Sequence, residues 1–242
     1  MDVKIRGFGA CLIGGFPHGF ENSFFHLATE RLRLETGHLL AASIYTLGGF
    51  PAPRALRHLP SHGLADHPEI VVLQFGSSDL VAPVRRKRHL RSVSAQARVA
   101  AHPANSLHLI RWRVQGIIGD LLGLKSITAP EAYLEAMNQM IRTVAAQSAI
   151  PVVISPFVLG SPRSDRIARA CVPALAKVVA TVPTARYVNA YAALDAYPRR
   201  EILLHDGTHL TIQGQVLVSE CLYNTLARLL RDLEMQPTHL AI

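Results

Sequence analysis

Three cysteines in 242 residues (Cys11, Cys171, Cys221) are too few and too scattered for a disulfide framework, and no C-x-x-C pair suggests a zinc site. They read as reduced thiols, with Cys171 and Cys221 in apolar helical patterns as core residues. Aromatic residues make up only 6% and include a single tryptophan, and no RNA- or DNA-binding motif is present, so nucleic acid is not the expected partner. No apolar stretch is long enough to cross a bilayer, and the chain enters its first strand without the sections of a signal peptide. The expectation is a cytoplasmic protein with no membrane partner. There is no repeat, no low-complexity tract and no Pro/Ser/Gly-rich linker, so residues 1–242 read as one domain. With 49% hydrophobic and 17% charged residues, disorder is excluded.

The charge that is present is concentrated. Lys and Arg number 25 against 17 Asp and Glu, for a net +8. From Leu80 to Thr128 there are nine basic residues (Arg85, Arg86, Lys87, Arg88, Arg91, Arg98, Arg111, Arg113, Lys125) and one acid, Asp120, so this segment carries the whole excess. It reads as a basic helical insertion at about 80–128. Within it, Ser106 to Leu124 aligns Leu107, Ile110, Val114, Ile117, Ile118 and Leu121 on one helical face. The plain reading of such a basic run is a solvated face.

Around the insertion the chain alternates strands and helices. The apolar run Val3 to Phe8 stops in Gly9-Ala10-Cys11-Leu12-Ile13-Gly14-Gly15, and a helix is expected from Pro17 to about Glu35. His38 to Leu47 suits a buried strand closed by Gly48-Gly49, and Pro53 to Leu64 a short helix and turn. Glu69 to Phe75 is a buried strand ending in Gly76-Ser77-Ser78-Asp79. Pro130 to Ala149 predicts a helix, Ile150 to Ile154 a strand, Ser161 to Val182 a helix and Thr184 to Ala190 a weaker strand. His205-Asp206-Gly207-Thr208-His209 then leads into a last helix from about Thr211 to Leu233. This alternation predicts a parallel sheet with helices on both faces, whose ligands bind at the carboxyl ends of the strands. The turns at Cys11, Gly48 and Ser78 and the Asp206 to His209 loop would converge there.

Those turns supply what an acyl-transfer site needs: a nucleophile, a base, a group orienting the base, and donors for an oxyanion. Cys11 is the candidate nucleophile, His209 the base and Asp206 its orienter, with His205 as a rival base. The Cys11 and Gly48 amides and the Ser78 hydroxyl are the candidate oxyanion donors. An α-helix following Cys11 would favour its thiolate. The plainer readings are a small apolar core cysteine for Cys11, and a helix cap beside a surface histidine for the D-x-x-H pattern. His58, His62 and His67 crowd one region, but Pro60 and Gly63 interrupt any helix that could align them, so they read as surface histidines rather than metal ligands.

In this order the turns resemble the blocks of the SGNH or GDSL hydrolase family. Gly9-Ala10-Cys11-Leu12 with Gly15 matches the G-D-S-L block, Gly48 the second-block glycine, Gly76-Ser77-Ser78-Asp79 the G-x-N-D block, and Asp206-Gly207-Thr208-His209 the final D-x-x-H. The resemblance implies a flavodoxin-like three-layer α/β/α fold around a parallel sheet. It also implies a triad, here Cys11, His209 and Asp206, acting on esters, thioesters or acylated sugars without cofactor or metal. Three positions depart from the family: cysteine replaces the serine nucleophile, Ala10 the aspartate before it, and Ser78 the third-block asparagine. A thiolate is the stronger nucleophile and preserves covalent catalysis, whereas a lost oxyanion donor typically costs about 100- to 1,000-fold. The expected activity is that of an esterase, thioesterase or acyltransferase passing through acyl-Cys11; a catalytically degenerate binding protein of the same fold is the alternative. Because it leaves the sheet after the Ser78 turn, the basic insertion is expected as a lid over the site. Its charge suits an anionic acyl donor such as a coenzyme A thioester or an acyl-carrier protein. A homodimer contact through the apolar face of Ser106 to Leu124 is the competing expectation.

Overall fold

The computed structural model describes residues 2–81 and 125–235, together with Val114, Ile118 and Leu122. Five strands, β1 (Asp2–Gly9), β2 (Leu39–Thr46), β3 (Ile70–Gln74), β4 (Ile150–Ile154) and β5 (Arg186–Val188), form one sheet in the order β2-β1-β3-β4-β5. Every pairing is parallel, with Gly9 level with Thr46 on one side and Gln74 on the other. A parallel sheet needs a crossover between successive strands, and the crossover helices cover its faces. Helices α1 (Phe24–Thr36) and α4 (Ile212–Met235) pack on each other, as do α2 (Pro130–Ala146) and α3 (Pro162–Ala180). Every residue of β3 is buried, as happens only in a central strand covered on both faces. This is the expected α/β architecture, and its strand order is flavodoxin-like. Among the described residues, no helix is long and apolar enough to cross a membrane.

Two expectations are corrected. The run at His38 to Leu47 does form a strand, but β2 lies at the sheet edge with no fully buried residue, and Leu39 is 72% exposed. Ile44 and Tyr45 are only partly buried against the core, Tyr45 between the rings of Phe8 and His62. The helix expected from Pro17 begins instead at Phe24, where the Ser23 hydroxyl accepts the His26 amide at 3.0 Å as an N-cap. Before it, Gly15 and Gly19 take left-handed conformations that no right-handed helix contains, so the chain turns twice first. Cys11 therefore opens a four-residue 3-10 turn, Cys11–Gly14, and not an α-helix.

The remaining helices fall close to their expected bounds, with Pro173 inside α3 and Cys171 buried on the same helix. Cys221 is half-buried on α4, less enclosed than a core residue. Most of the basic segment, and with it the expected lid and dimer face, lies outside the described residues. Its two ends are described: Ile127 N–H donates to Val81 O, and Thr128 N–H to Asp79 O.

Candidate active site

The strand order reverses between β1 and β3, and the loops leaving those two strands flank a crevice at the carboxyl end of the sheet. Cys11 follows β1, the Gly48 turn follows β2 and Ser78 follows β3. Backbone bonds bind the three together. Leu47 N–H donates to Gly9 O at 2.8 Å, Ala10 N–H to Gln74 O at 3.0 Å, and Phe50 N–H closes the Gly48-Gly49 turn on Leu47 O at 2.7 Å. Beyond Cys11 the chain folds back so tightly at Gly15 (φ +76°) that a Cβ there would stand 2.0 Å from Gly19 O, which only glycine allows.

The last part of the site arrives from the other end of the chain. Gly207 takes φ +68°, and a Cβ on Gly160 would lie 2.7 Å from its Cα, so the Asp206–His209 turn is pressed against the loop after β4. Gly160 N–H donates to Gly207 O at 2.7 Å, and Leu204 N–H to His209 O at 2.8 Å. One Asp206 carboxylate oxygen accepts the Thr208 and His209 amides, both at 2.9 Å, and the other accepts His209 Nδ1–H in a short hydrogen bond. This fixes the tautomer and the ring plane, and turns Nε2 towards the thiol: Cys11 Sγ stands 3.3 Å from His209 Nε2. The Phe16 ring packs on the imidazole with centroids 4.7 Å apart. His209 and Asp206 are 7% and 5% exposed, and Cys11 is partly open.

Electrostatics separate these groups from the other candidates. Burial works against a charged His209, but the field of the Cys11 thiolate and the bond to Asp206 outweigh it and lift the imidazole to about 10. Burial likewise opposes the Asp206 carboxylate, yet its bonds to His209 and to the two amides hold it below its ordinary value. At neutral pH this keeps His209 as an imidazolium, 3.3 Å from the Cys11 sulfur. Burial pushes the Cys171 thiol up to about 11 and raises that of Cys221, which keeps both protonated. His205 is exposed, and no bond joins it to Cys11.

Gly48 and the half-buried Ser78 lie on turns at the same end of the sheet as Cys11. Asp79, next to Ser78 and read in the sequence only as the end of a motif, is fully buried and gathers three donors: Ala52 N–H at 2.7 Å, Gly76 N–H at 3.1 Å and Thr128 Oγ1–H at 3.1 Å. Burial pushes its carboxyl up to about 6 against these bonds. Ala10, at the position of the family's aspartate, is completely buried. His62 stacks on Tyr45 at 4.1 Å and on His58 at 6.0 Å, and among the described residues no group of three or more His, Cys, Asp or Glu could hold a metal.

A cavity of about 550 Å³ opens beside the Asp206–Thr208 turn. Leu159 and Leu203 give it an apolar wall, Ser164 a hydroxyl, and Arg200 and His205 an exposed polar side. Cys11 is not among its described walls.

The sequence itself matches no family model and no curated protein. The fold has solved counterparts. A lipase/acylhydrolase from Enterococcus faecalis superposes with a TM-score of 0.67 at 18% identity, covering 93% of this chain and 96% of that one. A protein of the G-D-S-L family from Desulfitobacterium hafniense DCB-2 gives 0.62 at 12% identity, covering 92% and 99%. The esterase EstA from Pseudoalteromonas sp. gives 0.61 at 13% identity, covering 94% and 98%. With its parallel sheet ordered 2-1-3-4-5 and these superpositions, the chain has the fold of the SGNH/GDSL lipases and esterases.

Proposed function

We propose that this protein is an SGNH/GDSL-type hydrolase or acyltransferase that works through a covalent acyl-Cys11 intermediate. The observation that carries the reading is the pairing of Cys11 Sγ with His209 Nε2 at 3.3 Å, backed by Asp206 on Nδ1. Cys11 meets a histidine 198 residues away, and that histidine is held by an aspartate three residues before it, in the order nucleophile, base, orienter. Comparable folds in a lipase/acylhydrolase and an esterase support the reaction class.

The Cys11 thiolate attacks the carbonyl carbon of an ester or thioester, and the carbonyl oxygen becomes an oxyanion facing the Cys11 and Gly48 amides and the Ser78 hydroxyl. As the tetrahedral intermediate collapses, the bond to the leaving oxygen or sulfur breaks and His209 Nε2 gives that atom its proton. Acylation removes the thiolate charge, which is one of the influences raising the His209 pKa. The imidazole, now neutral, accepts a proton from water or a second nucleophile as it attacks the thioester, and collapse expels the Cys11 thiolate and restores the ion pair. One side chain thus serves as acid in the first half and as base in the second.

A thioester reacts more readily with amines than an oxygen ester does, so cysteine in place of serine suits transfer better than hydrolysis. The cationic residues between Arg85 and Arg98 suit an anionic donor such as a coenzyme A thioester or an acyl-carrier protein. Intact-mass measurement after incubation with activated esters and acyl thioesters tests the core of the reading: one acyl adduct is expected, absent in Cys11→Ala. If no donor acylates the protein, or the adduct persists in Cys11→Ala, the binding-protein reading replaces it. Cys11→Ser should retain some hydrolysis of activated esters and preferentially lose transfer to amines; equal losses in both would remove the transferase part.

A further inference from the structure

Two of the three candidate oxyanion donors lie on turns that follow different strands, Gly48 after β2 and Ser78 after β3. β2 is separated from β3 by β1, so no ladder bond joins the ends of the two strands. The Gly48 turn is tied to the sheet at its start by the bond from Leu47 to Gly9. On its far side the chain reaches Pro51 and Ala52, and the tie there is a side chain: Ala52 N–H donates to Asp79 Oδ1 at 2.7 Å. The other oxygen of the same carboxylate accepts Gly76 N–H at 3.1 Å, closing the Gly76–Asp79 turn on itself alongside Asp79 N–H to Gly76 O. Thr128 Oγ1 bonds to Oδ1 as well, and Thr128 N–H to the Asp79 carbonyl, so the return of the basic segment is fastened at the same point.

We infer that Asp79 is a positioning residue for the oxyanion site: its carboxylate spans from the turn carrying Gly48 to the turn carrying Ser78 and sets the distance between their donors. The inference rests on the acyl-Cys11 reading above. Among the described residues, no hydrogen bond or ion pair joins Asp79 to Cys11 or His209, so removing it should spoil the stabilisation of the oxyanion while leaving the proposed thiolate–imidazolium pair intact. These two properties are separable, because alkylation of a thiolate by iodoacetamide forms no oxyanion, whereas acylation by an activated ester does.

The experiment compares both reactions at Cys11 in the parent, in Asp79→Asn and in Asp79→Ala. Asparagine keeps the shape and one acceptor oxygen but turns an amide donor towards a backbone N–H; alanine removes the tie altogether. Acylation by p-nitrophenyl acetate should slow about 10-fold in Asp79→Asn and about 100-fold in Asp79→Ala, since small misplacements of a donor carry costs of that size. Iodoacetamide alkylation of Cys11 should stay within about twofold of the parent. If both reactions slow together, if neither slows, or if neither variant folds, Asp79 is only a structural tie and the inference is overturned. If the parent itself is alkylated but never acylated, it is the acyl-Cys11 reading that has failed.

Discussion

Replacing Cys11 with serine should lower the pKa of His209 by about 3 to 4 pH units, a large effect from the change of a single atom. His209 Nε2 stands 3.3 Å from Sγ. At an effective dielectric of about 20, opposite unit charges at that separation attract by about 5 kcal/mol, and about 1.4 kcal/mol corresponds to one pH unit. A serine hydroxyl can bond to the same nitrogen but carries no charge. Burial, which opposes the imidazolium, and the bond to Asp206, which favours it, both remain. The imidazole lifted to about 10 in the parent should therefore titrate between about pH 6 and 7 in Cys11→Ser.

Long-range proton–nitrogen correlation spectra of protein labelled with ¹⁵N-histidine, recorded from pH 5 to 11, follow Nε2 and Nδ1 directly. In the parent, the high-pH event belongs to the thiol–imidazole pair as a unit. Carbamidomethylation of Cys11 removes the same charge without mutation and should produce the same displacement. A serine variant whose imidazole titrates within about one pH unit of the parent would refute the ion pair. It would also remove the reason why one histidine can act as acid before acylation and base after it.

The D-x-x-H assignment is tested by comparing His209→Ala with His205→Ala. The first should lose at least about 100-fold in acyl transfer, as loss of a general base does, and the second should stay within about twofold; the reverse result would make His205 the base. Limiting iodoacetamide at pH 7 should mark Cys11 well before Cys171, whose thiol at about 11 is ionised in roughly one molecule in ten thousand; peptide mapping that found Cys171 first would contradict this. For Asp79 the folded value of about 6 lies above the ordinary 3.8. Its contribution to stability is therefore present in full below pH 3.8 and lost as pH rises through about 6. Urea unfolding of the parent relative to Asp79→Asn should show that advantage falling by about 3 kcal/mol between pH 3.5 and 7, and a flat difference would mean the buried carboxyl is not perturbed.

What the sequence revealed depended on how local each determinant was. Ile70 to Leu73 are completely buried, so β3 appears as an uninterrupted apolar run that any reading finds. β2 gives a similar run, yet edge or centre is decided by which strands lie alongside, and the half-exposed Ala41 to Thr46 carry no mark of it. Asp206 and His209 are three residues apart and meet through one turn, which makes them legible together. Their approach to Cys11, 198 residues away, followed only from the rule that parallel strands deliver their turns to one end.

Asp79 escaped because its role is spread over Ala52, 27 residues before it, and Thr128, 49 residues after it. Its place as the last residue of the Gly76-Ser77-Ser78-Asp79 block was the only signal. The misplaced start of α1 has a chemical consequence. The sequence reading credited an α-helix N-terminus with polarising the Cys11 thiol, but a four-residue 3-10 turn follows Cys11, and α1 begins at Phe24. The macrodipole acts only within about a turn of a helix end, so it cannot reach the sulfur from there. In the proposed mechanism the charge that serves the sulfur is instead that of His209 at 3.3 Å, held in place by an aspartate whose carboxylate is kept ionised by three hydrogen bonds. In that mechanism the nucleophile and its base are two halves of one charged pair, and a change at either is expected to appear in the titration of the other.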